Sequence, residues 1–196
     1  MKTTVVIPNY NGKHFLQDCL DSLLQSTVEI AVIVVDNGST DGSVSWIQEH
    51  FPQVKLICFS ENKGFCTAVN TGIEAAATPY VFLLNNDTKT DRFCLERLER
   101  AMEADEKIFS VGAKMLSMKE PELVDTAGDL YSAFGWAYAI GKGRLSSNYT
   151  APKRVFSNCA GAALYRKAHL EQIGGFDELH FAYLEDVDIG YRAQIF

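Results

Sequence analysis

The chain of 196 residues carries 25 Asp and Glu against 18 Lys and Arg, a formal charge of −7. With 47% hydrophobic and 22% charged residues it has the composition of one ordinary globular domain. The acidic excess argues against a nucleic-acid partner, which needs a basic stripe for its phosphates, so any phosphate-bearing ligand needs local help from backbone N–H groups, a few cations or a metal.

In chain order, the first half alternates β-branched runs with amphipathic segments, the pattern of βαβ units feeding a parallel sheet. Strands are expected at Thr4–Ile7, Ile30–Val35, Val54–Phe59 and Tyr80–Leu84, each nearly continuously apolar, as strands covered on both faces should be. Helical spacing joins Phe15, Leu16, Cys19, Leu20, Leu23 and Leu24, and again Ala68, Val69, Gly72, Ile73 and Ala76. A further helix is expected to carry Phe93, Leu98, Ala101 and Met102.

After about Met118 the period is lost, and Gly128, Gly135, Gly141 and Gly143 interrupt an aromatic stretch that reads as loops and short strands. A strand is expected within Val155–Tyr165, then a short helix, the turn Gly174-Gly175-Phe176-Asp177, and an acidic helix start at Glu185-Asp186-Val187-Asp188. The chain thus divides into a regularly alternating half, 1–118, and a less regular half, 119–196.

Five cysteines (Cys19, Cys58, Cys66, Cys94, Cys159) without a CxxC pair fit reduced thiols and predict a cytoplasmic protein. The apolar run at the N-terminus is too short for a signal-peptide core, and no stretch reaches the roughly 20 apolar residues of a membrane span.

The polar residues collect where function is expected. In an open parallel sheet every strand delivers its C-terminal end to one edge, and ligands bind in the crevice there. The four expected strands are followed by Pro8-Asn9-Tyr10-Asn11-Gly12, by Asp36-Asn37-Gly38-Ser39-Thr40-Asp41-Gly42, by Ser60-Glu61-Asn62-Lys63-Gly64 and by Asn85-Asn86-Asp87. Turn and capping chemistry accounts for many such residues. It accounts less well for a carboxylate directly after the second strand and another ending the run after the fourth. Asp36 stands where doubly wound proteins keep an acid for a nucleoside, and Asp87 offers the hard oxygen that Mg²⁺ or Mn²⁺ prefers. Neither GxGxxG nor GxxxxGK[ST] follows the first strand, which excludes dinucleotide oxidoreductases and P-loop enzymes.

Taken with Val34-Val35, Asn62-Lys63-Gly64-Phe65 and Leu83-Leu84, these segments, in this order and spacing, resemble the family 2 glycosyltransferases, with a rhamnosyltransferase-like flavour. The resemblance implies a GT-A α/β fold, a mostly parallel sheet flanked by helices, and an inverting enzyme that moves a sugar, rhamnose among the candidates, from a UDP- or dTDP-linked donor to a polysaccharide or lipid-linked glycan. It implies that Asp36 meets the nucleotide base in a pocket lined by Pro8, Asn9, Tyr10 and Asn11, with Asn62, Gly64 and Asn86 beside it. Asn85-Asn86-Asp87 stands at the metal-binding DXD position with its first acid replaced, which leaves Asp87 as the charged ligand for Mn²⁺ or Mg²⁺. Asp186 matches the general base, with Glu185 and Asp188 its acidic neighbours and Asp177 an acceptor contact.

The acidic run also suits a plain helix start, favoured by the helix dipole by about 0.3–1 kcal/mol per carboxylate. Lys63, Arg166 and Arg192 are within the range of cations that touch phosphate, although such residues are more often solvated or paired. Members of the family usually continue past the acidic helix with a downstream His, whereas all four histidines here precede Glu185. A C-terminally incomplete domain is therefore expected, with an apolar surface that favours a homodimer. A lipid-linked acceptor would bring the chain to the inner face of a membrane. Two other readings stay open: a non-catalytic nucleotide-sugar-binding module, and a nucleotidyltransferase, which would usually have a basic Gly-rich first loop.

Overall fold

The computed structural model describes residues 1–196. Its elements are Thr3–Asn9 (β1), Lys13–Leu24 (α1), Ile30–Asp36 (β2), Ser43–His50 (α2), Lys55–Cys58 (β3), Phe65–Ala75 (α3), Tyr80–Leu84 (β4), Cys94–Met102 (α4), Ser110–Gly112 (β5), Met115–Leu116 (β6), Val124–Thr126 (β7), Asp129–Tyr131 (β8), Ala137–Ala139 (β9), Ala162–Arg166 (β10), Lys167–Gln172 (α5) and Glu185–Ile195 (α6). The central sheet has the order β3-β2-β1-β4-β10-β5; β6 with β7 and β8 with β9 form two small hairpin ladders outside it. The first four strands pair in parallel and β10 runs antiparallel to both β4 and β5. The sheet is thus mostly parallel on one side only.

Because successive side chains of a strand face opposite ways, the sheet supports two cores. Val5, Ile7, Val34, Phe82, Leu84 and Leu164 meet α1, α2 and α4 on one face. Val6, Ile33, Val35, Val81, Leu83, Ala163 and Tyr165 meet α3, α5 and α6 on the other. Helix α3 lies so close to β1 that a Cβ on Gly72 would sit 2.2 Å from a Val6 methyl, which explains a glycine inside a helix.

The structure departs from the sequence pattern in three places. Strand β3 is an edge strand with Lys55 and Cys58 exposed, so its apolar run does not signal cover on both faces. Helix α2 was hidden by its short, weakly periodic sequence Ser-Val-Ser-Trp-Ile-Gln-Glu-His. The strand expected from Val155 begins only at Ala162, because Phe156 and Ser157 pair instead with Asp129 of the β8–β9 hairpin.

Candidate active site

Register assembles the crevice. Asn9 lies opposite Asp36 across the β1–β2 ladder, and β1 also runs beside β4 with Val6 opposite Leu83, so three residues further along both strands Asn86 comes to Asn9. The side chains confirm this. Asn9 donates to Asp36 Oδ1 at 2.8 Å and Asn86 donates to Asn9 Oδ1 at 2.7 Å, while the backbone N–H of Ser39 donates to Asp36 Oδ2 at 2.9 Å. Asp36 is only 1% exposed, so these bonds supply what burial of a carboxylate demands. They also occupy both its oxygens, and a nucleoside base would reach it only through a remaining lone pair.

The neighbouring loops are tied in the same manner. Asn11, held at φ 51°, accepts from the Thr40 N–H and its own N–H donates to Ser39 Oγ. Asn37 donates to Asn62 Oδ1 at 2.9 Å and to the Gly64 carbonyl at 3.0 Å. Gly64 is required here: its φ is +88°, and a Cβ would lie 2.8 Å from the Phe181 carbonyl oxygen, which accepts the Phe65 N–H. Tyr10 is exposed and Pro8 half-buried at the end of β1.

Asp87 is exposed, and its carboxylate makes no hydrogen bond or salt bridge within the chain. No group of three or more His, Cys, Asp or Glu side chains converges to hold a metal ion alone. Asp87 alone would therefore offer one anionic oxygen to a cation, whose other ligands would have to come from a bound diphosphate.

The antiparallel strand β10 supplies the second wall. Since it runs against β4, its N-terminal end, not its C-terminal end, reaches the crevice, and the Asn85 N–H donates to the Gly161 carbonyl at 2.9 Å. Helix α6 closes on the same segment: a Cβ on Gly190 would lie 2.4 Å from the Ser157 Cβ, so only a glycine lets the helix come this near. The α6 N-terminus thereby stands beside Ala160, whose N–H lowers the proton affinity of the Asp186 carboxyl. Burial nevertheless holds Asp186 above the usual carboxylate range, against the pull of the Val187, Asp186 and Ala160 N–H groups. Glu185 is buried and raised by the same cause, and its Oε2 has no hydrogen-bond partner. The two residues preceding them, Tyr183 at φ 73° and Leu184 at φ 65°, are left-handed without being glycine. Such backbone strain, of order 1–3 kcal/mol per residue, characteristically sits at functional sites.

One residue escaped the sequence reading. Asp129, on β8, accepts from Ser157 Oγ at 3.2 Å, and burial together with the charge of Asp186 pushes its carboxyl up to about 6. No local motif marks it. Only the pairing of Phe156 and Ser157 with Asp129 brings the hairpin to the α6 N-terminus. Tyr165 lies fully buried beneath these acids with an unpartnered hydroxyl, its proton held more tightly by burial and by the charges above it.

Other expected residues stand elsewhere. Asp188 is bound by Arg192 at 2.6 and 2.9 Å, and Arg192 also donates to the Ile173 carbonyl. Asp177 accepts the Leu179 N–H in a turn. Asp177, Asp188 and Arg192 line a cavity of about 630 Å³ with Asn70 and Glu178. Phe176 is in the core, and its glycine neighbours provide the positive φ of the turn. Arg166 is spent on the carbonyls of Met102, Asp105 and Ile108, and Lys63 lies over the Phe59 ring.

Comparison with known proteins bears on the fold and the family. The chain is 27% identical to the N-acetylglucosaminyl-diphospho-decaprenol L-rhamnosyltransferase of Mycobacterium tuberculosis over 214 aligned positions, covering 96% of this chain and 69% of that protein. Among solved structures it is similar to Staphylococcus aureus TarS, residues 1–349, with a TM-score of 0.71 at 19% identity, over 98% of this chain and 55% of that one. It is also similar to the mannosyltransferase PcManGT of Pyrobaculum calidifontis, solved in complex with GDP-Man and Mn²⁺, with a TM-score of 0.65 at 20% identity, over 90% of this chain and 48% of that one. At these identities the two structures establish the GT-A fold. No helix is long and apolar enough to cross a membrane. Residues 4–174 match the family described as glycosyl transferase family 2, and the chain belongs to that family.

Proposed function

We propose that this chain binds a nucleoside diphosphate sugar in the crevice between Asp36 and Asp87 and transfers the sugar, with inversion, to a hydroxyl of a glycan or lipid-linked acceptor. One observation carries the reading. The Asn85–Gly161 hydrogen bond, with Ala160 beside Asp186, brings the loop bearing Asp87 and the strained start of α6 to one strand end. An acid that meets diphosphate and an acid that meets the acceptor hydroxyl belong in that relation.

Asp186 is the general base. A hydroxyl is a poor nucleophile, and a positioned carboxylate that takes its proton in the transition state contributes typically 10²–10⁴-fold. Its raised pKa makes it a better base than a surface aspartate. Burial, and after it the charge of Asp186, raises the proton affinity of the neighbouring Glu185 and Asp129 in turn. Pro8, Asn9, Tyr10, Asn11, Asp36, Asn62, Gly64 and Asn86 form the nucleoside side; the network around Asn9 fixes it before the donor arrives. Asp87 would hold Mn²⁺ or Mg²⁺, which when bound stabilises the charge that gathers on the leaving diphosphate. The mycobacterial likeness supports rhamnose as the sugar and an acceptor carried on a diphospho-lipid, with dTDP or UDP as the nucleotide of the donor. Asp177 and Asp188, which line the cavity beside α6, would be acceptor contacts, Asp188 through Arg192.

Thermal unfolding with dTDP, UDP, GDP and CDP, each with Mn²⁺, Mg²⁺ or chelator, tests the donor site. A nucleotide at 100 times its Kd adds about 2.7 kcal/mol, which at this size is a shift of roughly 5–11 °C. The expected result is a metal-dependent shift with dTDP or UDP that Asp87→Ala removes. A folded protein that no nucleotide shifts would overturn the proposal, and a shift without any donor turnover would favour a binding module.

A further inference from the structure

The β8–β9 hairpin has two unlike faces. Leu130 pairs with Tyr138 and the Ser132 N–H donates to the Trp136 carbonyl, so strand alternation puts Leu130, Trp136 and Tyr138 on one face, with Phe134 at the tip. Asp129 and Tyr131 take the other face. Tyr131 stacks on Phe156 at 4.9 Å, and Asp129 bonds Ser157 beside the acids of α6. The inner face is thus occupied by the candidate active site, and the outer face meets nothing: Phe134 is 89% exposed, Trp136 65%, Tyr138 56% and Leu130 53%.

Charge adds a second, independent observation. From Leu130 to Leu170 the sequence contains no Asp or Glu, although the chain as a whole carries −7. Arg144, Lys153 and Arg154 are exposed and in no salt bridge, and Arg154 lies two residues before Phe156, at the hairpin base. Lys142 pairs with Asp125 at 3.3 Å. Trp, Tyr and Phe on an exposed strand pair, within a stretch that carries unpaired cations and no acids, are what the headgroup layer of an anionic membrane accommodates.

We infer that the outer face of the β8–β9 hairpin docks on a membrane surface carrying anionic headgroups, with Phe134 and Trp136 entering the interface. A second copy of the chain suits this face less well. A two-fold contact would bring the unpaired cations of one hairpin base toward those of the other, and a narrow projecting tip offers little area for a stable dimer. A membrane takes both features, since insertion needs a projecting apolar tip and the cations then lie at phosphate depth. Because the same hairpin carries Asp129 on its inner face, docking would present the candidate active site to acceptors held at that surface. The inference concerns membrane binding and stands apart from the transfer reaction.

The test uses the full chain with Trp46→Phe, which leaves Trp136 as the only indole. Sedimentation with vesicles of phosphatidylcholine, alone or mixed with phosphatidylglycerol, reads binding, and indole emission reads insertion. The expected result is co-sedimentation and a blue shift with the anionic vesicles at low salt, much weaker with phosphatidylcholine alone. Phe134→Ser with Trp136→Ser, judged by sedimentation, should weaken binding about tenfold or more, and replacing Arg144, Lys153 and Arg154 by Ala should weaken it by up to about fivefold per charge. These residues are exposed, so the thermal midpoint and any nucleotide-induced shift should stay unchanged, which separates failure here from failure of the donor site. No binding to anionic vesicles would overturn the inference. So would binding that the serine pair leaves intact, or a concentration-dependent dimer that the serine pair dissolves in a chain that ignores vesicles.

Discussion

The two walls of the crevice are built on opposite principles. On the side formed by β1 to β4, polar groups satisfy one another: Asn9 bridges Asp36 and Asn86, and Asn37 bridges Asn62 and Gly64. On the side formed by β8, β10 and α6 they do not. Glu185 Oε2 and the Tyr165 hydroxyl are buried without partners, Asp129 and Asp186 hold protons more tightly than free carboxylates, and Tyr183 and Leu184 are in a strained backbone region. A nucleotide pocket gains from being rigid before its ligand arrives. A base gains from an environment in which its charge is uncomfortable, and that costs stability.

The largest effect expected from this contrast is at Asp186. Asp186→Asn should lower the transfer rate by about 10²–10⁴-fold while leaving the nucleotide-induced thermal shift intact, as read by donor turnover beside thermal unfolding. In the wild type the rate should rise with pH as Asp186 loses its proton, with the inflection above the usual carboxylate range. A mutant that loses both rate and nucleotide binding would mean that the two walls are not separable.

The opposite wall should respond in stability. Asn9→Ala leaves a wholly buried Asp36 oxygen without its donor and should cost about 2–3 kcal/mol in chemical denaturation. A cost below about 0.5 kcal/mol would contradict a pocket held by that network.

Asp129→Asn should do the reverse. The folded state holds the Asp129 proton up to about pH 6, whereas the unfolded chain releases it near 3.8. Between those values stability falls as pH rises, and above about 6 the full penalty of the buried charge applies. Asn removes it, so the variant should be more stable by about 1–2 kcal/mol at pH 7, after discount for solvent screening, and no more stable below pH 3.8. The smallest effect belongs to Leu184→Gly, which relieves the left-handed backbone and should stabilise by about 0.5–1 kcal/mol in the same denaturation assay.

The two walls also differ in how far they could be read beforehand. Tyr80–Leu84 is a strand to the residue, and the loops after the first four strands do meet at one edge, because parallel βαβ units carry their own periodicity and their own directional rule. The polar run from Glu185 to Asp188 opens α6 as its composition suggested. Local pattern did not reveal that Asp188 would be turned to Arg192 or that Asp129 would join the acids, since both depend on which segments pair across long separations in sequence.

Amino-acid order alone determined the βαβ half, its polar edge, the family and the set of acids available for chemistry. The tertiary structure decided which acids share a site: antiparallel β10 brings residues 157–161 to the crevice, Gly190 lets α6 close on Ser157, and Ser157 recruits Asp129. The physical reason is range. Strand and helix periods are set by neighbours a few residues apart, whereas the proton affinity of a carboxylate is set by burial and by charges that only the folded chain brings near.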